Sequence, residues 1–333
     1  MNKRAIVLGV LDRIGFLRLW RSRASDRLLV VNYHRILDGA ANNPFDDGVV
    51  TCTPDVLDAQ LEMLTRYRTI VSMHDFVASL EGGPALPPRP TLITFDDGYA
   101  DNFEIAFPIL KKYSAPACFY LPAKRLQERE LEWWDHIACA VKRADTGVRS
   151  VEFGGLTIDT QLDSAEGQRA ATDELIGIAK ETGADVESLY GQLNAERPDK
   201  SVESGQIMTD EQVREILAEP GFAIGAHSVS HAVLTTLDDD GQAFELRESR
   251  RFLEARFDVP VRTFAYPVGD DAHYNDVSRR MARSAGYACA FNFRRAARDV
   301  RVDELKPFDI DRICAPRRAD AIFAARASGF FAI

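Results

Sequence analysis

The chain has 333 residues, 46% hydrophobic and 28% charged, enough to bury a substantial core in one large domain or two smaller ones. Its net charge of -10 gives no electrostatic footprint for nucleic acid and excludes that partner class. Cys52, Cys118, Cys139, Cys289 and Cys314 are odd in number and lack C-x-x-C spacing, which favours reduced thiols in a cytoplasmic compartment over a disulfide framework.

At the N-terminus, Lys3 and Arg4 precede the apolar stretch Ala5 to Leu11, but Asp12 and Arg13 cut it off after seven residues and no cleavage site follows closely. No stretch is long enough to span a bilayer. Ile6, Val7, Val10, Leu11, Ile14 and Leu17 recur at helical spacing beside several arginines, so residues 1–27 are expected to form an amphipathic helix packed on the domain. A sharper alternative lays this basic helix on an anionic membrane face as a peripheral contact.

Arg27 to Tyr33 is a short apolar run, read as the first core strand, with His34 and Arg35 behind it. A polar loop over 38–54 leads to a helix from Pro54 to Tyr67, a strand near Thr69 to Met73, and a helix over about 74–80. The Pro/Gly-rich linker 82–90 then delivers Pro90 to Phe95, an apolar strand that stops on Asp96, Asp97 and Gly98. Helix 103–113, interrupted early by Pro108, and strand 115–121 continue the alternation, which implies an α/β fold with a mostly parallel sheet, open or closed into a barrel.

From Lys124 to about Gln206 the rhythm breaks, and helices are expected near 133–143, 165–182 and 185–195. The segment 125–205 is read as a mostly helical insertion between core strands. Trp133 and Trp134 within it suit sugar stacking or, better, anchoring of a helical insertion. Thr209 to Gln212 then has the form of a capping box, opening a helix. Strand 222–226 ends at His227-Ser228-Val229-Ser230-His231. A long helix over 240–257, strand 261–266, helix 275–285, strand 287–291, a short strand near 308–310 and a closing helix from about Asp320 complete the chain.

Two features carry chemistry. Asp96 and Asp97 are adjacent carboxylates at a strand end, ordinarily a polar turn, and neighbours on a strand face opposite ways unless the backbone turns between or just after them. His227 and His231 are four apart after another strand, a spacing that suits chelation of a divalent cation, with Asp96 or Asp97 as an anionic third ligand. Strand ends of a parallel sheet converge on one face, which would bring the two features together.

Thr94-Phe95-Asp96-Asp97-Gly98-Tyr99, His227-Ser228-Val229-Ser230-His231 and Phe264-Ala265-Tyr266-Pro267-Val268-Gly269, in that order, resemble the polysaccharide deacetylase family with its NodB-homology domain, carbohydrate esterase family 4. The Tyr33-His34-Arg35 segment is similar to that of bacterial poly-N-acetylglucosamine deacetylases. The resemblance covers 28–124 and 206–320, leaving 125–205 as the insertion and 321–333 as a C-terminal helix or tail. It implies a distorted (β/α) barrel and a metal-dependent hydrolase that removes an N-acetyl group from an amino sugar of a glycan or glycan precursor. By position it implies Asp97, His227 and His231 as ligands of a divalent metal, usually zinc, and Asp96 as general base. It also implies Val268 N–H as oxyanion donor, with Tyr99, Tyr266 and Pro267 on the substrate side.

Two departures follow. The arginine usual after Phe264 is Ala265, and Arg312 is expected to stand in as the partner of Asp96, ahead of Arg262. No histidine follows His273, so the usual C-terminal acid is absent and His34 is the candidate proton donor, set against a purely bracing role for it; His273 is a weaker candidate, and His74 and His136 read as ordinary helix or surface residues. Two other functions stay open: deformylation or deacetylation of a lipid-linked sugar at the cytoplasmic membrane face, and carbohydrate binding by a chain that has lost catalysis.

Overall fold

A computed structural model describes residues 27–38, 43–204, 206–294, 300–319 and 323. Of the expected helix over 1–27 only Arg27 is described, and it opens the first strand; of the helix from about Asp320 only Phe323 is, helical and buried; the rest of both lies outside the described residues. The chain divides into two compact units, one of Met1–Asp38, Thr51–Leu126 and Met208–Ile333, the other of Gly39–Val50 and Gln127–Ile207.

The first unit is a ring of parallel strands wound in sequence order: β1 (Arg27–Tyr33), β2 (Pro90–Phe95), β3 (Cys118–Leu121), β4 (Ala223–Ala226), β5 (Thr263–Ala265), β6 (Cys289–Phe291) and β7 (Ile313–Cys314). The chain stretch before β7 closes the ring. Ile310 pairs with Phe291 of β6, and three residues later Ile313 pairs with Val31 of β1. Because this closure rests on such short pairings, the barrel is distorted, as expected from the sequence.

Alternation along each strand fills both faces. Leu28 and Val30 of β1, Leu92 of β2, Tyr120 of β3, Ala265 of β5 and Phe291 of β6 share one apolar cluster with Met73 and Phe76 of the helix Met73–Leu80. On the opposite phase Tyr33, Phe95 and Phe119 stack in a row at 5.1 Å spacings, and the Tyr33 hydroxyl donates to Gln60 of the helix Pro54–Tyr67. Gly225 of β4 is required by this packing, since a Cβ there would lie 2.2 Å from the Tyr120 ring. The expected helix 103–113 begins instead as a π-helical turn, Asn102–Ala106, before the α-helix Phe107–Lys112. Pro108 has no N–H to give, so the regular ladder cannot run through it.

The second unit has its own core. Ile137 and Val141 of the helix Trp133–Arg143, and Leu175 and Ala179 of the helix Ala165–Thr182, pack with Val151, Phe153 and Ile158. Those last three belong to an antiparallel hairpin, Val148–Phe153 with Leu156–Gln161, so the insertion is not simply helical. The hairpin turns on Gly154-Gly155, both at positive φ, between the alternating Val151-Glu152-Phe153 and Ile158-Asp159-Thr160, a readable signal that the sequence reading passed over. Trp133 and Trp134 meet edge to face at 5.0 Å, with Trp134 buried, in keeping with an anchoring role. His136 belongs to the helix Trp133–Arg143, one of the two readings given for it, and is buried rather than on the surface, with Nδ1 2.9 Å from the Tyr190 hydroxyl.

Candidate metal centre and catalytic face

The sheet ladder runs one residue past three strands, with Asp96 N–H donating to Tyr33 O, His227 N–H to Leu121 O and Tyr266 N–H to Phe291 O. Asp96 therefore keeps strand geometry. Asp97 does not: its φ of 73° is left-handed, and Gly98 follows at 71°. This resolves how two adjacent carboxylates reach one site, because the backbone turns at Asp97 itself. Left-handed φ is costly for non-glycine residues and recurs here at Ser228, His231 and Val268, the last a β-branched residue. The Val268 strain belongs to a γ-turn in which Gly269 N–H donates to Pro267 O at 2.6 Å.

Asp97 Oδ1, His227 Nε2 and His231 Nε2 form a small triangle. The carboxylate oxygen lies 3.5 Å from His227 and 3.4 Å from His231, and the two nitrogens are 3.1 Å apart. All three side chains are buried. A tetrahedral ion with ligands at ~2.0–2.1 Å would set such edges at roughly 3.3–3.4 Å, so the donor set fits a zinc-sized cation. Asp97 Oδ1, buried with no hydrogen-bond donor of its own, supports that fit. His227 Nδ1 lies 2.7 Å from Ala265 O, an arrangement that places the ring proton on Nδ1 and turns Nε2 toward the triangle. Burial pushes the Asp97 carboxyl up, but the two imidazoles outweigh it and hold it well below the usual carboxylate range. Burial likewise pushes His227 down, and Asp96 and Asp97 carry it above its ordinary value.

Asp96 sits beside the triangle, with Oδ2 4.0 Å from His227 Nε2. Arg312 grips it with a two-pronged contact, Nη1 donating to Oδ1 at 2.7 Å and Nη2 to Oδ2 at 2.8 Å. The guanidinium is itself buried and fixed by Asn292 O and Asn32 Oδ1, while Asn32 Nδ2 donates to Asp96 Oδ2 at 3.0 Å. Arg312 thus reaches Asp96, which Ala265 cannot, and Arg262 instead pairs with Glu81. Burial pushes the Asp96 carboxyl up, yet Arg312, His227 and His34 together hold it below the usual range.

His34 reaches the same face. Its Nε2 is 3.9 Å from Asp96 Oδ2, its ring is 21% exposed, and its edge meets Phe293 at 5.6 Å. Its backbone is fixed at both ends, with N–H donating to Thr51 Oγ1 and C=O accepting from Asn102 Nδ2 at 2.7 Å. Asp101 secures the next residues through Arg35 Nε and Ile36 N–H. His273 pairs with Asp270, and among the described contacts none joins it to Asp96 or the triangle.

Two expected substrate residues are corrected. Tyr266 lies on the outward phase with Phe264, stacks on Tyr274 at 4.4 Å and donates its hydroxyl to Phe308 O; Tyr99 is buried beneath the Arg35 guanidinium. Both rings are wholly inside the protein and offer no face to a ligand. Pro267 is buried as well, whereas Val268 is half-buried, and no carbonyl accepts from its N–H among the described residues. The sequence reading missed Asn32, which was accessible as the residue in phase with Leu28 and Val30 at the end of β1.

The sequence profile of the family described as Polysaccharide deacetylase matches residues 84–290, more than half of the chain. The chain belongs to the polysaccharide deacetylase family. The chain is similar to YxkH of Bacillus subtilis (strain 168), a protein named for this family, at 23% identity over 196 residues; the match covers 59% of this chain and 42% of that protein's length. Among solved structures, it shares its fold with the Streptococcus pyogenes deacetylase PplD in complex with acetate (TM-score 0.59, 17% identity, 91% of this chain and 99% of that one). IcaB from Ammonifex degensii has the same fold (TM-score 0.59, 18% identity, 91% and 97% covered), as does a de-N-acetylase from Aggregatibacter actinomycetemcomitans (TM-score 0.57, 16% identity, 88% and 96% covered).

Proposed function

We propose that the chain is a metal-dependent hydrolase that removes an N-acetyl group from an amino sugar of a glycan. The observation that carries this reading is the buried Asp97–His227–His231 triangle with the Arg312-held Asp96 beside it. Family membership and the de-N-acetylase named among the similar folds support the reaction type.

Asp97, His227 and His231 would hold the cation, with zinc favoured by two imidazoles and one carboxylate. Such a cation, when bound, acidifies a water and polarises the amide carbonyl. Asp96 takes the water's proton as the water attacks; its contact with Arg312 keeps it ionised and aimed. Val268 N–H, which no described carbonyl accepts, donates to the developing oxyanion. His34 gives a proton to the leaving amine, and its fixed backbone limits where the ring can stand. The C–N bond breaks, releasing acetate and a free amino sugar.

The test is zinc content measured together with acetate release from N-acetylated chitooligosaccharides, alongside N-formyl and O-acetyl sugars, soluble and lipid-linked. Asp96→Asn is expected to keep zinc and lose turnover, and Asp97→Ala to lose zinc. The reverse pattern refutes the roles, and no bound zinc together with no hydrolysis of any such sugar would favour a carbohydrate-binding protein.

A further inference from the structure

The loop that presents both histidines holds two left-handed residues, Ser228 at φ 62° and His231 at 56°, a conformation the chain does not adopt without external support. Its described backbone hydrogen bonds run to two sides. On one side, Ser228 O and Val229 O accept from Ala123 N–H (3.1 Å) and Lys124 N–H (2.8 Å), at the start of the short helix Ala123–Glu128. On the other, a single carboxylate takes three loop donors: Glu245 Oε2 accepts from Val229 N–H at 2.7 Å and Ser230 N–H at 2.9 Å, and Glu245 Oε1 accepts from Ser230 Oγ at 2.7 Å.

Glu245 lies in the middle of the long helix Asp239–Phe257 and is 7% exposed. No described cation pairs with it, so its place in a nearly dry environment is explained by the loop alone. No described hydrogen bond or ion pair joins its side chain to any of the three ligand residues. It bonds Val229 and Ser230, two of the three residues between the histidines.

We propose that Glu245 is a positioning residue for the metal centre, a carboxylate clamp that holds Val229-Ser230 and thereby fixes His231 Nε2 at its separation from His227 and Asp97. The proposal rests on the reading that Asp97, His227 and His231 bind a metal. The clamp acts through hydrogen-bond geometry and not through its charge. Glu245→Gln preserves it, because the amide oxygen can take both N–H groups and the amide NH2 can donate to Ser230 Oγ. Glu245→Ala removes all three acceptor contacts, and Glu245→Asp is one methylene too short to reach them.

The test is Zn2+ affinity of the full chain by competition with a chromophoric chelator, with the Co2+ absorption spectrum as a second readout and thermal melting of the metal-free protein as the folding control. Loss of a supporting contact behind a ligand typically costs ~10–100-fold in affinity, and that loss is expected for Glu245→Ala and Glu245→Asp, with an altered Co2+ spectrum. Glu245→Gln is expected within a few-fold of wild type, and Ser230→Ala, which deletes one contact and leaves the helix intact, between the two. If Glu245→Ala does not fold, Glu245→Asp and Ser230→Ala carry the comparison. Wild-type affinity and spectrum in those variants overturn the clamp while leaving the metal site standing. Equal losses in Gln and Ala show a charge effect and also overturn it. A wild-type chain that takes up no Zn2+ removes the metal reading and the clamp together.

Discussion

Replacing Arg312 by Met leaves the Asp96 carboxylate buried with Asn32 as its only remaining side-chain donor described, and removes four hydrogen bonds from one guanidinium. With contacts of 2.7 and 2.8 Å the charge centres stand roughly 4 Å apart, which at an effective dielectric near 20 is about 4 kcal/mol of attraction. That attraction favours the ionised carboxylate, so its loss raises the pH at which Asp96 takes up a proton, and burial pushes the same way. Because a base must be ionised to act, the acid limb of kcat/KM moves upward. At pH 5.5 the zinc-loaded variant is expected to be slower by on the order of 10-fold, with recovery by pH 8. Arg312→Lys keeps a charge without the fork and should fall between. The assay is acetate release across pH, and wild type carries the same cation, so the difference reports the guanidinium. The variant also loses about 3–5 kcal/mol of stability as a broken buried pair, so a melting curve must first show it folded at the assay temperature. An acid limb that does not move, with kcat/KM within a few-fold of wild type, refutes the assignment of Arg312.

Asn102→Ala withdraws the donor to His34 O and should lower kcat by roughly 10-fold while zinc affinity stays unchanged; a matching loss of zinc would place the damage at Asp97 instead. Cys314 is exposed, whereas burial pushes Cys52 and Cys118 up to about 12 and also raises Cys139 and Cys289. A thiol reagent at pH 8 is therefore expected to modify Cys314 alone in the native protein and all five cysteines in denaturant; a second fast-reacting thiol contradicts the packing. Burial pushes the Asp309 carboxyl up, but Tyr274, Asn292, Arg294 and Arg279 hold it below its ordinary value. The unfolded chain then binds more protons in the window below about pH 4, so stability rises with pH there and is lost as pH falls. Asp309→Asn should flatten that slope in urea titrations of the metal-free protein, and an unchanged slope would refute the coupling.

What the sequence determined by itself was local or periodic. The helix Asp210–Ala218 opens on a complete Thr209–Gln212 capping box because all of its parts lie within four residues. β1, β2 and the helices Trp133–Arg143 and Ala165–Thr182 follow from hydrophobic period, since burial of one face requires it. Asp96, Asp97, His227 and His231 were legible because each ends a strand or starts the loop behind one, where a parallel sheet gathers its functional groups. Tertiary structure decided the rest. Arg312 could be named from the sequence as a candidate partner of Asp96, but 216 positions separate the two, and closure of the ring through Ile310 and β7 is what brings its guanidinium to the carboxylate. Tyr99 and Tyr266 stood in the right motifs, but strand phase and a left-handed turn sent their rings into the core. Asn32, Asn102 and Glu245 act through contacts made across the fold, and a polar residue within a strand, a turn or a helix carries no local mark of the partner it will meet.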